Sequence, residues 1–207
     1  MASRSTLPRV RPGWPSLRAL ASVQGGFFRV SQAAELGFSP QLLASHVRSG
    51  ALVRARRGIY RLAQFPAVEN EELVELWHWS NEQGVFSHET ALTLHELSDV
   101  LPARVHMTVP RAWRRRAAST PSLVVLHRAD LPDCDRTWVG LVPVTTPQRT
   151  LRDAYDCGVS PDVIAQAIRD GSARNLFSRA DLRGIVPPRV GRPRGRAAAH
   201  PRSRSTP

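Results

Sequence analysis

At 207 residues the chain is long enough for one or two small domains with a real core, and its net charge of +12 and pI of about 11.5 favour a polyanionic partner. No apolar run approaches the ~18 residues a membrane span needs. Cys134 and Cys157, the only cysteines, make neither a disulfide framework nor a C-x-x-C pair, so a reduced cytoplasmic setting is expected. All 29 basic residues are arginine, a mark of GC-rich coding as much as of function, so the distribution of charge says more than the total. Residues 14–63 carry seven Arg against one Glu, residues 64–100 carry eight acids and no Arg, and residues 187–207 carry six Arg and no acid.

Residues 1–13 hold Arg4, Arg9 and Arg11 among Pro and Ser with no apolar stretch after them, which reads as a disordered basic arm and not a signal peptide. From Trp14 to Val23, Leu17, Leu20 and Ala21 fall at i, i+3 and i+4 and predict a helix closed by Gln24-Gly25-Gly26. Ser31 is placed to cap a short helix, Ser31 to Leu36, stopped at Gly37. Ser39 and Pro40 then form a second cap-and-first-turn pair for a helix to about Ser49, stopped at Gly50. In it Leu43 and Val47 face inward, while Gln41, Ser45 and Arg48 share another face. Leu52-Val53-Arg54 and Ile59-Tyr60-Arg61 are strand candidates around a turn at Arg56-Arg57-Gly58. Two short helices, a glycine turn and an arginine-tipped hairpin predict a winged helix-turn-helix over residues 14–63. On that reading Gln41, Ser45 and Arg48 meet base edges, with Gln41 suited to adenine and Arg48 to guanine. Ser39, Arg54, Arg56 and Arg57 contact phosphates or the minor groove. The plainer reading is a helical hairpin packed on a β-hairpin with no ligand.

The segments GGFFRVSQAAELG (Gly25–Gly37) and SGALVRARRGIYRL (Ser49–Leu62) resemble the N-terminal winged-helix domain of AbiEi-type antitoxins, the DNA-binding half of a bacterial type IV toxin–antitoxin pair. FSHETALTLHEL (Phe86–Leu97), VHMTVP (Val105–Pro110), VPVTTPQRTLRDA (Val142–Ala154) and SRADLR (Ser178–Arg183) resemble later segments of the same family, in the same order. The resemblance implies a repressor that binds inverted repeats in double-stranded DNA at its own promoter. It also implies an antitoxin that neutralises a cognate nucleotidyltransferase toxin without a stable complex.

After a connector at residues 64–70, Glu71 to Gln83 is helical by pattern, with Glu71 and Glu72 at the favourable end of the helix dipole. Val85-Phe86 opens a second unit. Ser87 is placed to cap a helix from His88 to Leu97. RVHMTVP (Arg104–Pro110) alternates as a strand, with Val105, Met107 and Val109 on one face and His106 and Thr108 on the other. Ser122–Arg128 is a second strand, and Thr137–Val144 holds a third, broken by Gly140. Helices are expected from Thr146 or Thr150 through Tyr155, from Ser160-Pro161 to Ile168, and from Arg179 to Gly184 under a Ser178 cap. The fold class is therefore α+β: a winged helix-turn-helix, then a mixed α/β domain over residues 64–186. Residues 187–207 cannot build a core and read as a disordered tail. In it Gly191-Arg192-Pro193, with Arg194 and Arg196, resembles a minor-groove hook; an unspecific electrostatic tail is the other reading.

His88-Glu89 and His95-Glu96 are seven residues apart, too far for the usual two-ligand spacing on a helix, and neither begins H-E-x-x-H. They read as helix-start and core residues, with no metal, no cofactor and no enzymatic activity; a metal-dependent nuclease using these pairs is the enzymatic alternative. Asp130, Asp133 and Asp135 read as a solvated turn. Trp77, Trp79 and Trp113 read as core residues ahead of base-stacking ones, and Arg114-Arg115-Arg116 as either a second phosphate contact or a solvated run. A stand-alone winged-helix regulator without a toxin is the principal alternative to the antitoxin reading.

Overall fold

Two adjacent phenylalanines set the layering. Phe27 and Phe28 are both buried, and because neighbouring strand residues point to opposite faces they enter different cores. The computed structural model describes residues 13–99, 101–114, 120–178 and 180–185. The readings made for residues 1–12, for Arg115 and Arg116, and for the tail with Arg192, Arg194 and Arg196 lie outside the described residues. Within them the chain is a mixed α+β fold with two sheets.

The first unit holds α1 (Trp14–Ser22), β1 (Phe27–Arg29), α2 (Val30–Glu35), α3 (Pro40–Arg48), β2 (Leu52–Arg56) and β3 (Ile59–Leu62). Its antiparallel sheet runs β1-β3-β2, with Phe27 opposite Arg61 and Leu52 opposite Leu62. Phe28, Leu52 and Leu62 close a core with Leu17, Ala21, Ala33, Phe38 and Leu43 from α1, α2 and α3 and the link between α2 and α3. Strand β1 carries no signal in the sequence: three residues are too few to alternate, and its partner strand lies far along the chain. Its presence overturns the expected Ser31 cap. Pairing holds as far as Arg29 opposite Ile59, and the Val30 N–H donates to the Gly58 carbonyl at 2.9 Å. The chain therefore passes straight from strand to helix, with Arg29 in the cap position and its N–H donating to Gln32 Oε1 at 2.8 Å.

α4 (Glu71–Trp79) ends four residues before the expected Gln83. Asn81 and Glu82 turn left-handed (φ 61° and 63°), and Ser80 Oγ accepts the Gly84 N–H at 2.9 Å, closing the helix early. The second sheet is built from β4 (Val85–Phe86), β5 (Val105–Val109), β6 (Val124–Arg128), β7 (Arg136–Val139) and β8 (Val142–Thr145), in the order β6-β5-β4-β8-β7. Pairs β5–β6 and β4–β8 are parallel and the others antiparallel. The segment read as one strand broken by Gly140 is a tight hairpin, with Val139 opposite Val142 and Gly140 at φ 55°. α5 (His88–Leu94), α6 (Pro147–Asp156) and α7 (Pro161–Ala173) pack through Leu92, Leu151, Ala154, Ile164 and Ala167. α7 outruns its expected end at Ile168 and runs on to Ala173, with Gly171 buried under the Phe177 ring. The expected closing helix is a turn. Ser178 and Asp181 exchange hydrogen bonds at 2.7 and 3.3 Å, as at a helix start, and left-handed Gly184 follows at once.

The two sheets meet across α4. Val74, Leu76 and Trp79 share one core with Phe27 and Ile59 of the first sheet and with Phe86, Met107, Val142 and Val144 of the second. The core thus crosses the boundary read at residue 63. Gly26, just before β1, is at φ 87°, where a Cβ would lie 2.7 Å from the Phe65 ring packed on the first unit's own core, whereas Gly50 is left-handed (φ 76°) in open space. Gly50→Ala is expected to cost about 1 kcal/mol, the left-handed penalty alone. Gly26→Ala should cost about 1–3 kcal/mol more, from overpacking. Urea midpoints of the two variants check this, and equal losses would show that the Phe65 ring gives way.

Candidate nucleic-acid interface

α3 forms where the sequence marks it. Ser39 Oγ accepts the Leu42 N–H at 3.2 Å, Pro40 needs no partner in the first turn, and Leu43 is buried. His46 stacks on Trp14 with ring centroids 4.7 Å apart, which fixes the helix against α1. The opposite face carries Gln41, Ala44, Ser45 and Arg48, all exposed. The three residues read as base-edge contacts therefore share one exposed stripe.

The hairpin presents its arginines unequally. Arg54 is exposed, and so is Arg57 beside left-handed Gly58. Between Arg54 and Arg56 the pairing slips by one residue, and such a bulge re-aims the side chain that follows. Arg56 turns back and ion-pairs with Glu75 of α4. Arg61 does the same with Glu71 at 3.0 Å, and Arg29 with Glu82 at 3.1 Å. Of the seven arginines in residues 14–63, three are thus matched by acids of α4 and the turn after it. Among the described residues the other four, Arg18, Arg48, Arg54 and Arg57, have no acidic partner and stand exposed, Arg18 on α1 and the rest on α3 and the hairpin. Pairing with α4 is a feature the sequence reading did not draw. Its signal was present, since Glu71 and Glu75 are four apart on a helix in the acidic block directly after the basic one.

Glu82 is the most heavily used of these acids. Its Oε1 accepts from Arg29 Nε and Gln32 Nε2, both at 3.1 Å, and bonds His78 Nδ1 at 3.2 Å. The His78 bond, with the Arg29 charge behind it, holds this carboxyl below its ordinary value against the burial that raises it.

The remaining candidates divide. Trp79 and Trp113 are buried, Trp113 donating from Nε1 to the Ser80 carbonyl at 3.0 Å, so both serve the core. Trp77 is half-buried edge-on against Trp138. Asp135 is more than part of a solvated turn: Arg149 bridges it to Asp153, both at 2.7 Å. His88 and His95 do not come together. His95 donates from Nε2 to the Thr145 carbonyl at 2.7 Å. His88 instead meets His106 and His127, with one nitrogen of each ring within 4.8 Å of the others. Burial lowers all three: His88 to about 3, helped by the charges of the other two, His106 against the pull of Glu89, and His127 with His106 adding to it.

Residues 15–63 match the model of a family described as a transcriptional regulator, AbiEi antitoxin. The Gly25–Gly37 and Ser49–Leu62 segments lie inside that match, and the later resembling segments lie beyond it. Over a longer span the fold is similar to that in the crystal structure of the RV2827C protein from Mycobacterium tuberculosis. The TM-score is 0.50 at 16% identity, covering 80% of this chain and 74% of that one. At that identity the likeness is one of fold. No curated protein matches the sequence. Among the described residues no helix is long and apolar enough to cross a membrane.

The two kinds of arginine should separate by stability. Arg61 Nη2 donates to the Phe65 and Pro66 carbonyls at 3.0 and 3.1 Å as well as to Glu71, and its side chain is only 14% exposed. Arg61→Ala is expected to cost about 2 kcal/mol, whereas Arg57→Ala should stay within about 0.5 kcal/mol. Urea unfolding of both variants reads the difference, and a comparable loss for Arg57→Ala would place that residue in the fold and not on a binding face.

Proposed function

We propose that the chain is a sequence-specific DNA-binding transcriptional regulator of the AbiEi-antitoxin type, in which α1–α3 and β1–β3 act as a winged helix-turn-helix. The observation that carries this reading is the division of arginines. The acids of α4 and of the turn after it pair with Arg29, Arg56 and Arg61, and three of the four arginines left uncompensated, Arg48, Arg54 and Arg57, stand on α3 and the hairpin, the elements that would meet a groove and its flanking phosphates. Gln41, Ser45 and Arg48 read base edges, and Ser39, Arg54 and Arg57 position the protein on the backbone. Arg56 reaches DNA only by leaving Glu75. The family match supports a transcriptional regulator and antitoxin, and the resemblance of the segments implies an autorepressor acting on inverted repeats at its own promoter, paired with a cognate nucleotidyltransferase toxin. Because that match spans only the first unit, a stand-alone regulator is the second reading. Growth rescue of cells expressing an adjacent nucleotidyltransferase by the full chain would decide for the antitoxin, and its absence for the stand-alone regulator.

Footprinting on the DNA upstream of the gene, at near-physiological salt, tests the proposal, with the full chain compared with one ending at Val186. Protection of inverted repeats by both chains is expected; no preference over random DNA would remove the regulator reading. Arg57→Ala should weaken all sequences alike and lower the salt-dependence slope by about one. Gln41→Ala should relax preference at one base position, at a cost of about 1–3 kcal/mol against the preferred base. Uniform losses from both variants would undo the assignment of roles.

A further inference from the structure

Away from the first unit, three histidines from three elements converge. Thr108 of β5 lies opposite His127 of β6 in a parallel pair, so His106 and His127 are diagonal neighbours on one face of the sheet, opposite the face that buries Met107 and Val109. The start of α5 packs over that face and brings in His88, whose ring lies on His127 with centroids 3.5 Å apart. His106 Nδ1 is 3.1 Å from His127 Nε2.

Two of the nitrogens pointing outward from this cluster are already held. His106 Nε2 is 3.3 Å from the Glu89 carboxylate, and His88 Nδ1 is 2.9 Å from Ser87 Oγ, which itself accepts from the Thr108 hydroxyl at 2.8 Å. This leaves one nitrogen on each of these two rings, together with His127 Nε2, for a common partner. Histidines that ligate a metal ion show the same arrangement: one nitrogen on the ion, the other fixed by a carboxylate or hydroxyl that sets the ring's orientation. A tetrahedral ion with nitrogens at about 2.0–2.1 Å holds them about 3.4 Å apart, close to the His106–His127 separation. A hydrogen bond between two neutral imidazoles would account for that pair alone and leaves His88 stacked without a role. Full convergence needs a rotation of His88 out of its stack. Imidazole ligands suit zinc and its neighbours among the transition metals, and three protein ligands leave a fourth position for water.

We propose that His88, His106 and His127 form a binding site for one Zn²⁺ ion, with Glu89 orienting His106 and Ser87 orienting His88. Such an ion ties the start of α5 to β5 and β6. The inference is independent of the DNA-binding reading, since none of these residues lies in the first unit.

The test is a Zn²⁺ titration of the untagged full chain against a competing chelator, paired with a Co²⁺ titration read by visible absorption. One Zn²⁺ per chain is expected, with a melting temperature that rises on Zn²⁺ addition and intense Co²⁺ bands of a low-coordinate nitrogen site. His127→Ala should abolish all three signals, Glu89→Gln should weaken Zn²⁺ binding about 10–100-fold, and His95→Ala should change none. If His127→Ala fails to fold, the Co²⁺ spectrum of the parent chain and the affinity of Glu89→Gln decide instead. Absence of saturable binding, an octahedral Co²⁺ spectrum, or unchanged affinity in folded His127→Ala or in Glu89→Gln would overturn the site.

Discussion

Everything in the first unit that bears on function depends on how α4 meets its sheet. The contact has an apolar part, Phe27 and Ile59 against Val74, Leu76 and Trp79, and a charged part, Arg29, Arg56 and Arg61 against Glu82, Glu75 and Glu71. The two parts do different work. Each fully buried large side chain contributes about 1.5–3 kcal/mol, whereas partly exposed ion pairs contribute about 0–1 kcal/mol each. The apolar part holds the contact together. The pairs decide which arginines remain available, because an arginine matched by an adjacent carboxylate releases little when it meets a phosphate.

That division is made by backbone geometry as much as by charge. Arg56 and Arg57 are neighbours at the tip of one hairpin, yet the bulge after Arg54 sends the first to Glu75 while the second stays exposed beside Gly58. A regular strand would keep Arg54 and Arg56 on one face. The surface left for a polyanion is accordingly narrower than the composition of residues 14–63 suggests. Apart from Arg18 on α1, it is the exposed stripe of α3 with Arg48, flanked by Arg54 and Arg57.

What could be read from the sequence was whatever is encoded locally. The Ser39-Pro40 start of α3, the Gly37 stop and the turn at Gly58 depend on residues within a few positions of one another, and each stands where it was read. Strand β1 did not show, because its three residues take their conformation from β3. The Ser31 cap failed for the same reason, since the β1 pairing fixes where the helix begins. The ion pairs across α4 were half legible: the acidic block was plain, but its partners follow only once the sheet is known to lie against the helix. The histidines mark the limit. A helix-spacing argument can relate His88 to His95, which the structure keeps apart. It cannot relate either to His106 and His127, whose proximity is set by the register of two parallel strands.

The start of α5 shows what that convergence displaces. Ser87 occupies the cap position, but its hydroxyl makes no capping bond to the helix and is engaged instead by His88 and Thr108. His88, a residue with a full side chain, is held left-handed at φ 53°. An unmade cap costs about 1 kcal/mol and a left-handed non-glycine residue about 1–2 kcal/mol, so the local sequence alone would favour a different helix start. Burial under α5 opposes both terms, but burial would be served equally by an apolar residue in an ordinary conformation. What goes with the strained arrangement is an imidazole laid on the His127 ring, with its Nδ1 bonded to the Ser87 hydroxyl. Backbone strain of this kind persists where the surroundings over-determine the residue, and in α5 the groups that determine it are the polar side chains around the three rings.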